Sequence, residues 1–332
     1  VKALVTGATG FLGSYLVRAL IARGDSVRIL ARSPERARAL ADAGAQLRIG
    51  DLAEPASLSG ITDDCDVVFH LARSVTEGSN ELFERVDVQG TERLIAEAER
   101  AGVRRLVYVG TLAGYPVAQQ PEGATLDERT PFDETGLLGN YVRAKARAEQ
   151  VVLSANARGK LEATIVRLGL VCGVGTSVLP AHVCLALNPN RVILFGDGSV
   201  PLPLVFVDNA VDALILGATV PGIGGQSFNV VDDDVLTQRE YLELLQRTNQ
   251  GRPQVIRMPR LAYYALGLLT EIAAAARHKA PATNRYRIRS RLRRVKWDTS
   301  KARNVLKWRA RVPLRTALAD TFRASAVREP PK

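Results

Sequence analysis

The sequence predicts an α/β fold in which a doubly wound parallel sheet is joined to a smaller C-terminal lobe. Three observations carry this. Short β-branched runs alternate with longer amphipathic segments through the first two thirds of the 332 residues. Strict strand–helix alternation calls for crossover connections and hence a parallel sheet covered on both faces. Gly7, Gly10 and Gly13 fall between the first run and the first amphipathic segment, where the chain must turn tightly from strand into helix. Beyond about residue 176 the rhythm gives way to shorter mixed elements, with Pro and Gly clusters at 196–203 and 221–225.

The elements follow in order. "KALVT" reads as the first strand and "FLGSYLVRALIARG" as the first helix. "SVRIL", "PERARALADAG", "QLRIG" and "DVVFHLA" continue as strand, helix, strand, strand. A helix over about 81–101, the strand "RRLVYVG", a helix over about 135–157 and the strand "EATIVRLGLV" complete the alternation. This assigns residues 1–175 to a ligand-binding domain and 176–332 mainly to a second lobe, with 204–235 returning to the first domain. Sheets of this kind bind ligands at the carboxyl ends of their strands. The apolar stretch "LAYYALGLLTEIAAAA" at 261–276 is interrupted by Glu271 and, as a helix, rises about 24 Å, short of a bilayer core. It is expected to be a buried helix, with a substrate cover or a membrane-surface helix as alternatives.

The composition is that of an ordinary globular chain, 46% hydrophobic. Cys65, Cys172 and Cys184 have no CxxC spacing, and His70, His182 and His278 are scattered, so neither a disulfide framework nor a metal site is expected. No signal-peptide pattern precedes "VKALVTG", which predicts a cytoplasmic protein. The net charge of +11 is local: residues 277–311 hold fourteen Lys or Arg against one acid, Asp298. Within them, Arg285, Arg287, Arg289 and Arg291 alternate, which on an extended strand would line one face. A solvated strand edge, anionic lipid or a phosphorylated ligand would account for the run. Without an aromatic-interleaved RNA motif or zinc finger, nucleic acid is not expected.

Chemistry enters with "VTGATGFLG". Glycines without side chains let the backbone approach a pyrophosphate, whose charge then sits at the helix N-terminus, so a dinucleotide is expected there. At the end of the second strand an acid would bind the ribose hydroxyls of NAD, whereas "RILARSPER" offers Arg32, with Ser33 and Arg36. A guanidinium suits a 2′-phosphate and favours NADP over NAD. Tyr141 and Lys145 in "NYVRAK" stand at i and i+4 on one helix face. A phenol titrating near pH 10 needs a positive neighbour to act at neutral pH, and Lys145 could supply it.

With "TGATGFLG", "GDL" at 50–52, "VVFHLA" at 67–72, "VQGTERLI", "VYVGT", the Tyr–Lys pair, "VRLGLVCGVG", "FVDNAVDAL" and "GGQSFNVVDD" in this order, the chain resembles the extended short-chain dehydrogenase/reductase superfamily, which includes NAD(P)-dependent epimerases and dehydratases. The resemblance covers nearly the whole length and implies a Rossmann fold. It implies catalysis by Thr111, Tyr141 and Lys145, with Tyr141 as general acid or base and Lys145 also on the nicotinamide ribose. It implies cofactor contacts from Gly7, Thr9, Gly10, Phe11, Leu12, Gly13, Arg32, Asp51, Leu52, Leu71 and Ala72, with Asp51 at the adenine. Asp87 departs from the Asn usual before "VxGT".

The resemblance leaves the substrate between two branches. Nucleotide-sugar epimerases and dehydratases usually carry an Asn and an Arg where this chain has Leu170 and Leu202, which favours an apolar, steroid-, flavonoid- or lipid-like ketone as in the 3β-hydroxysteroid dehydrogenase and dihydroflavonol reductase branch. A nucleotide sugar bound through Arg285 to Arg294 is the alternative. A non-catalytic NADP sensor or assembly subunit is a further one, against which the retained Tyr and Lys argue. A homodimer through the helices at 81–101 and 135–157 is expected from the resemblance, and peripheral contact with anionic lipid from "LAYYALGLL" and the basic run.

Overall fold

The computed structural model describes residues 1–74, 79–248, 253–277, 281 and 283–328. His278 lies outside them. Seven strands form the central sheet: β1 (Lys2–Thr6), β2 (Ser26–Ala31), β3 (Gln46–Ile49), β4 (Val67–His70), β5 (Arg105–Thr111), β6 (Glu162–Leu168) and β7 (Ser227–Val230). Their order is β7-β6-β5-β4-β1-β2-β3, with every neighbouring pair parallel. The chain leaves β1 in one direction and β4 in the other, so the order reverses beside β1 and opens a crevice at the strands' carboxyl ends.

Strand periodicity builds the two covered faces. Ala3 and Val5 of β1, Phe69 of β4 and Val107 of β5 turn to one side, where α1 (Phe11–Ala22), α2 (Pro34–Asp42) and α5 (Val207–Thr219) close over them. Leu4, Val68, Leu106 and Tyr108 turn to the other, under α3 (Gln89–Arg100) and α4 (Asn140–Ala157). Because successive side chains point to opposite faces, strands buried on both read as continuous apolar runs.

Several expected elements change form. The helix expected from about 81 is a short turn, Asn80–Phe83, followed by a π-helical stretch, Glu84–Val88, before α3. The helix expected from about 135 starts at Asn140, because residues 133–139 are held as turns: Asp133 Oδ1 accepts from the Thr135 amide at 2.9 Å, and Gly136 and Gly139 take φ of 72° and 104°. The strand "EATIVRLGLV" breaks at Gly169, after which Leu170–Cys172 pairs with Leu204–Phe206.

Two corrections concern the C-terminal lobe. The arginine run is not a strand: Arg285–Leu292 is a helix, α7, capped by the Asn284 side chain, which accepts from the Arg287 amide. Ile288 and Leu292 are its buried stripe at i, i+4, a signal present in the sequence beneath the period-two arginines. The apolar stretch does form a helix, α6 (Arg260–Ala276), but only Tyr263 and Gly267 are buried. Its remaining face is open: among the described residues its apolar packing is against one small sheet, formed by Leu185–Asn188, Arg191–Phe195 and Gln254–Met258, and against α7, through Phe195 and Ile288. No helix among the described residues is long and apolar enough to cross a membrane.

Candidate active site

The site is built at the carboxyl ends of β1, β2, β4, β5 and β6. Gly7 ends β1 with φ of 72°, a left-handed turn that an L side chain rarely adopts, and its carbonyl accepts from the Gly10 amide at 3.0 Å. A Cβ on Gly13 would stand 2.2 Å from the Gly7 oxygen, so only glycine lets the first turn of α1 approach the loop this closely. Gly10, the residue before α1, has no side chain with which to cap the helix. The amides of a helix start therefore face an opening of about 620 Å³, the arrangement that receives a pyrophosphate.

That groove is lined by the residues expected to bind cofactor or to react: Gly7, Thr9, Gly10, Phe11, Leu12 and Gly13; Arg32; Asp51 and Leu52; Leu71 and Ala72; and Thr111, Tyr141 and Lys145. Arg32 stands at its mouth, 3.7 Å from the Asp51 carboxylate, with Arg36 lining the same end. Their side chains are largely open to solvent. Leu170 and Leu202 are elsewhere. Leu202 is buried in the C-terminal lobe's own core and Leu170 packs against the same cluster, so no polar group occupies either position.

Tyr141 is the second residue of α4, and its side chain lines the groove with that of Thr111 at the end of β5. Burial pushes its phenol above the ordinary value, while the positive charge of Arg73 and the nearby Thr111 side chain pull it back. The Arg73 guanidinium lies 5.7 Å from the Tyr141 ring centre. Arg73 follows directly on "HLA" and had no local signal to mark it, since only the return of β4 beside α4 brings it near the phenol.

Lys145 is one turn beyond Tyr141 and fully enclosed. Its ammonium donates to the Tyr108 hydroxyl at 3.0 Å and to the Val109 carbonyl at 2.9 Å. Burial lowers its pKa to about 8, against which the carboxylates of Asp87 and Glu149 hold the proton on. Below it His70 bridges Thr6 Oγ1 at 2.7 Å and Thr91 Oγ1 at 2.9 Å, and desolvation, with the charge of Lys145, lowers it to about 3, so it is neutral at ordinary pH. Asp87 is buried beside this group. Its Oδ2 accepts from the Ser74 amide at 3.1 Å, and Oδ1 has no partner among the described residues.

A second polar group behind the helix was not apparent in the sequence. Glu149, one further turn along α4, forms a buried ion pair with Arg167 of β6 at 2.8 Å. Arg167 also donates to the Tyr115 hydroxyl at 2.8 Å, which donates to Asn229 Oδ1 at 2.8 Å, and its guanidinium lies 4.3 Å from the Phe132 ring centre. The i, i+4, i+8 spacing of Tyr141, Lys145 and Glu149 was visible, but the partner 18 residues on in β6 was not.

Three free cysteines are buried, and no group of His, Cys, Asp and Glu among the described residues could hold a metal ion. A model of the NAD dependent epimerase/dehydratase family matches residues 3–230. A curated relative from Stigmatella aurantiaca, 4-hydroxy-2-methyl-3-oxo-4-farnesyl-3,4-dihydroquinoline-1-oxide ketoreductase, is 32% identical over 94% of this chain and 92% of its own. Among solved structures, that of gox2253 is 26% identical with a TM-score of 0.80, covering 97% of this chain and 96% of the other. That of MoeE5 in complex with UDP-glucuronic acid and NAD is 25% identical with a TM-score of 0.75, covering 99% of each chain.

Proposed function

The chain belongs to the NAD dependent epimerase/dehydratase family and is an NAD(P)-dependent oxidoreductase of the extended short-chain dehydrogenase/reductase type; on that premise we propose that it reduces a ketone, or oxidises the matching secondary alcohol, on an apolar substrate. The observation that carries the reading is that Thr111, Tyr141 and Lys145 line the same groove as the glycine turn at Gly7, Gly10 and Gly13. The nicotinamide supplies or accepts the hydride when bound. Tyr141 gives the carbonyl oxygen its proton, or takes the alcohol's, and Thr111 holds the same oxygen by a second hydrogen bond. Lys145, anchored to Tyr108 and Val109, presents its remaining N–H to the ribose hydroxyls and its charge to the phenol. Residues 1–175 would carry the cofactor and these groups, and 176–332 mainly the substrate.

The apolar substrate is favoured because the two positions where a diphosphate ligand is expected are Leu170 and Leu202, both packed on the lobe's core. The Stigmatella ketoreductase, whose name carries both an oxo and a farnesyl group, points the same way. MoeE5, bound to UDP-glucuronic acid, keeps the nucleotide-sugar reading as the alternative. The test is NADPH absorbance with a panel of hydrophobic ketones, beside nucleotide sugars assayed by product separation. Stoichiometric loss of NADPH with a ketone is expected; conversion of a nucleotide sugar without net NADPH change would replace this reading with that of an epimerase or dehydratase.

Arg32 and Arg36 favour NADP as the cofactor. Replacing Arg32 by Ala should weaken NADPH binding about tenfold or more and leave NADH within about twofold, since only the former loses a charge-assisted contact. Equal effects on both, by fluorescence titration, would remove the preference. A homodimer joined through the helical segments at 81–101 and 135–157, and peripheral contact with anionic lipid, belong to the same reading.

A further inference from the structure

The outward face of α6 has no polar group to offer. Leu261, Ala265, Leu269, Ile272 and Ala276 follow one another around it at i, i+4, i+8 spacing and i+11. Leu261 is 84%, Leu269 63% and Ile272 58% exposed, values that an ordinary globular helix reserves for charged residues. Both ionised side chains of the helix are paired: Arg260 with Asp197 at 3.5 Å, and Glu271 with Arg285, whose Nε donates to Oε2 at 2.8 Å and whose amide donates to Oε1 at 2.7 Å.

The apolar surface continues onto the small sheet. Ile193 pairs with Ile256 on one side and Leu185 on the other, so these three side chains form a row across the sheet. That row is on the same side of the sheet as Phe195, which stacks on Tyr263 of α6 with ring centres 3.8 Å apart. Leu185 and Ile256 are 44% and 46% exposed. The rim is cationic. Arg191 ends the sheet row, Arg260 and Arg277 flank α6, and Arg289 stands exposed on α7; the nearby acid Asp197 is paired with Arg260 at 3.5 Å.

We propose that this face of α6 and the small sheet is a bilayer-docking surface, with α6 lying in the plane of an anionic membrane and the arginines on the lipid headgroups. The inference rests on the reading of peripheral lipid contact and names the surface that makes it: apolar α6, not the arginine run alone. A face with aliphatic side chains only and cations on its rim matches the hydrocarbon edge and anionic headgroups of a bilayer. A protein partner would be met by polar rim groups of both signs. The docked face is tied to the active site. Asn284, which caps α7, and Arg287 of α7 donate to the Leu137 carbonyl at 3.1 and 3.0 Å, and Leu137 precedes Tyr141 by one turn of chain.

The experiment is flotation with vesicles of phosphatidylglycerol and phosphatidylcholine. Wild type should float, several-fold less at 0.5 M salt or with phosphatidylcholine alone, since screening removes the headgroup contribution of each arginine. The double variant Leu269→Glu, Ile272→Glu should float at least tenfold less, with NADPH binding and thermal midpoint unchanged because neither side chain touches the core. Wild-type flotation that the double variant keeps would overturn this surface while leaving lipid contact standing. No flotation of wild type would remove both, without bearing on ketone turnover. A dimer in lipid-free solution that the double variant dissociates would assign the face to a second copy of this chain and overturn the proposal.

Discussion

Replacement of Tyr141 by Phe should lower kcat about a thousandfold while NADPH affinity stays within about twofold. Positioned proton transfer contributes roughly 10²- to 10⁴-fold, and the ring is otherwise preserved. The fold should be untouched, because the hydroxyl belongs to a residue that lines the groove and is only half-buried. Stopped-flow reduction of the active ketone with saturating NADPH, beside fluorescence titration of the cofactor, separates the two quantities. A rate within tenfold of wild type would remove Tyr141 from the chemistry. The pH profile gives an independent handle. Alcohol oxidation requires the phenolate, so its rate rises with pH through the Tyr141 titration. Burial sets that titration high and the charge of Arg73 lowers it, so Arg73→Met should move the rising limb to higher pH.

The second large effect is expected on stability. Glu149→Leu removes the carboxylate from an ion pair whose side chains are 10% and 4% exposed, and leaves Arg167 charged between α4 and β6. Breaking a buried pair from one side costs about 3–5 kcal/mol, because the remaining charge is uncompensated. Replacing both, Glu149→Leu with Arg167→Met, should recover most of that loss, since an apolar pair has no charge to desolvate. Urea denaturation of the three variants measures both values. A single variant within about 1 kcal/mol of wild type would mean that water reaches the pair. Because Glu149 is two turns along α4 from Tyr141, the single variant should also loosen α4 and lower turnover, and the double variant should restore turnover along with stability.

The sequence by itself determined the strand–helix alternation, the parallel sheet and the glycine turn, because each depends on neighbours a few residues apart. Gly7 must take a positive φ, Gly13 must leave room for the Gly7 oxygen, and apolar runs such as "KALVT" bury on both faces wherever they are placed. The pairing of Tyr141 with Lys145 was visible for the same reason: i, i+4 spacing is a property of the helix alone. Tertiary structure decided what stands around them. It put the cation of Arg73 over the Tyr141 ring, tied the Lys145 ammonium to Tyr108, and set Glu149 against Arg167, contacts between segments far apart in the chain. It also decided the fate of two ambiguous stretches. The alternating arginines at 285–291 became a helix because Ile288 and Leu292 found the core behind α6. The apolar stretch at 261–276 stayed open because the lobe provides partners for one side of it only. Periodicity tells which side chains share a face; whether anything covers that face depends on residues that periodicity cannot reach.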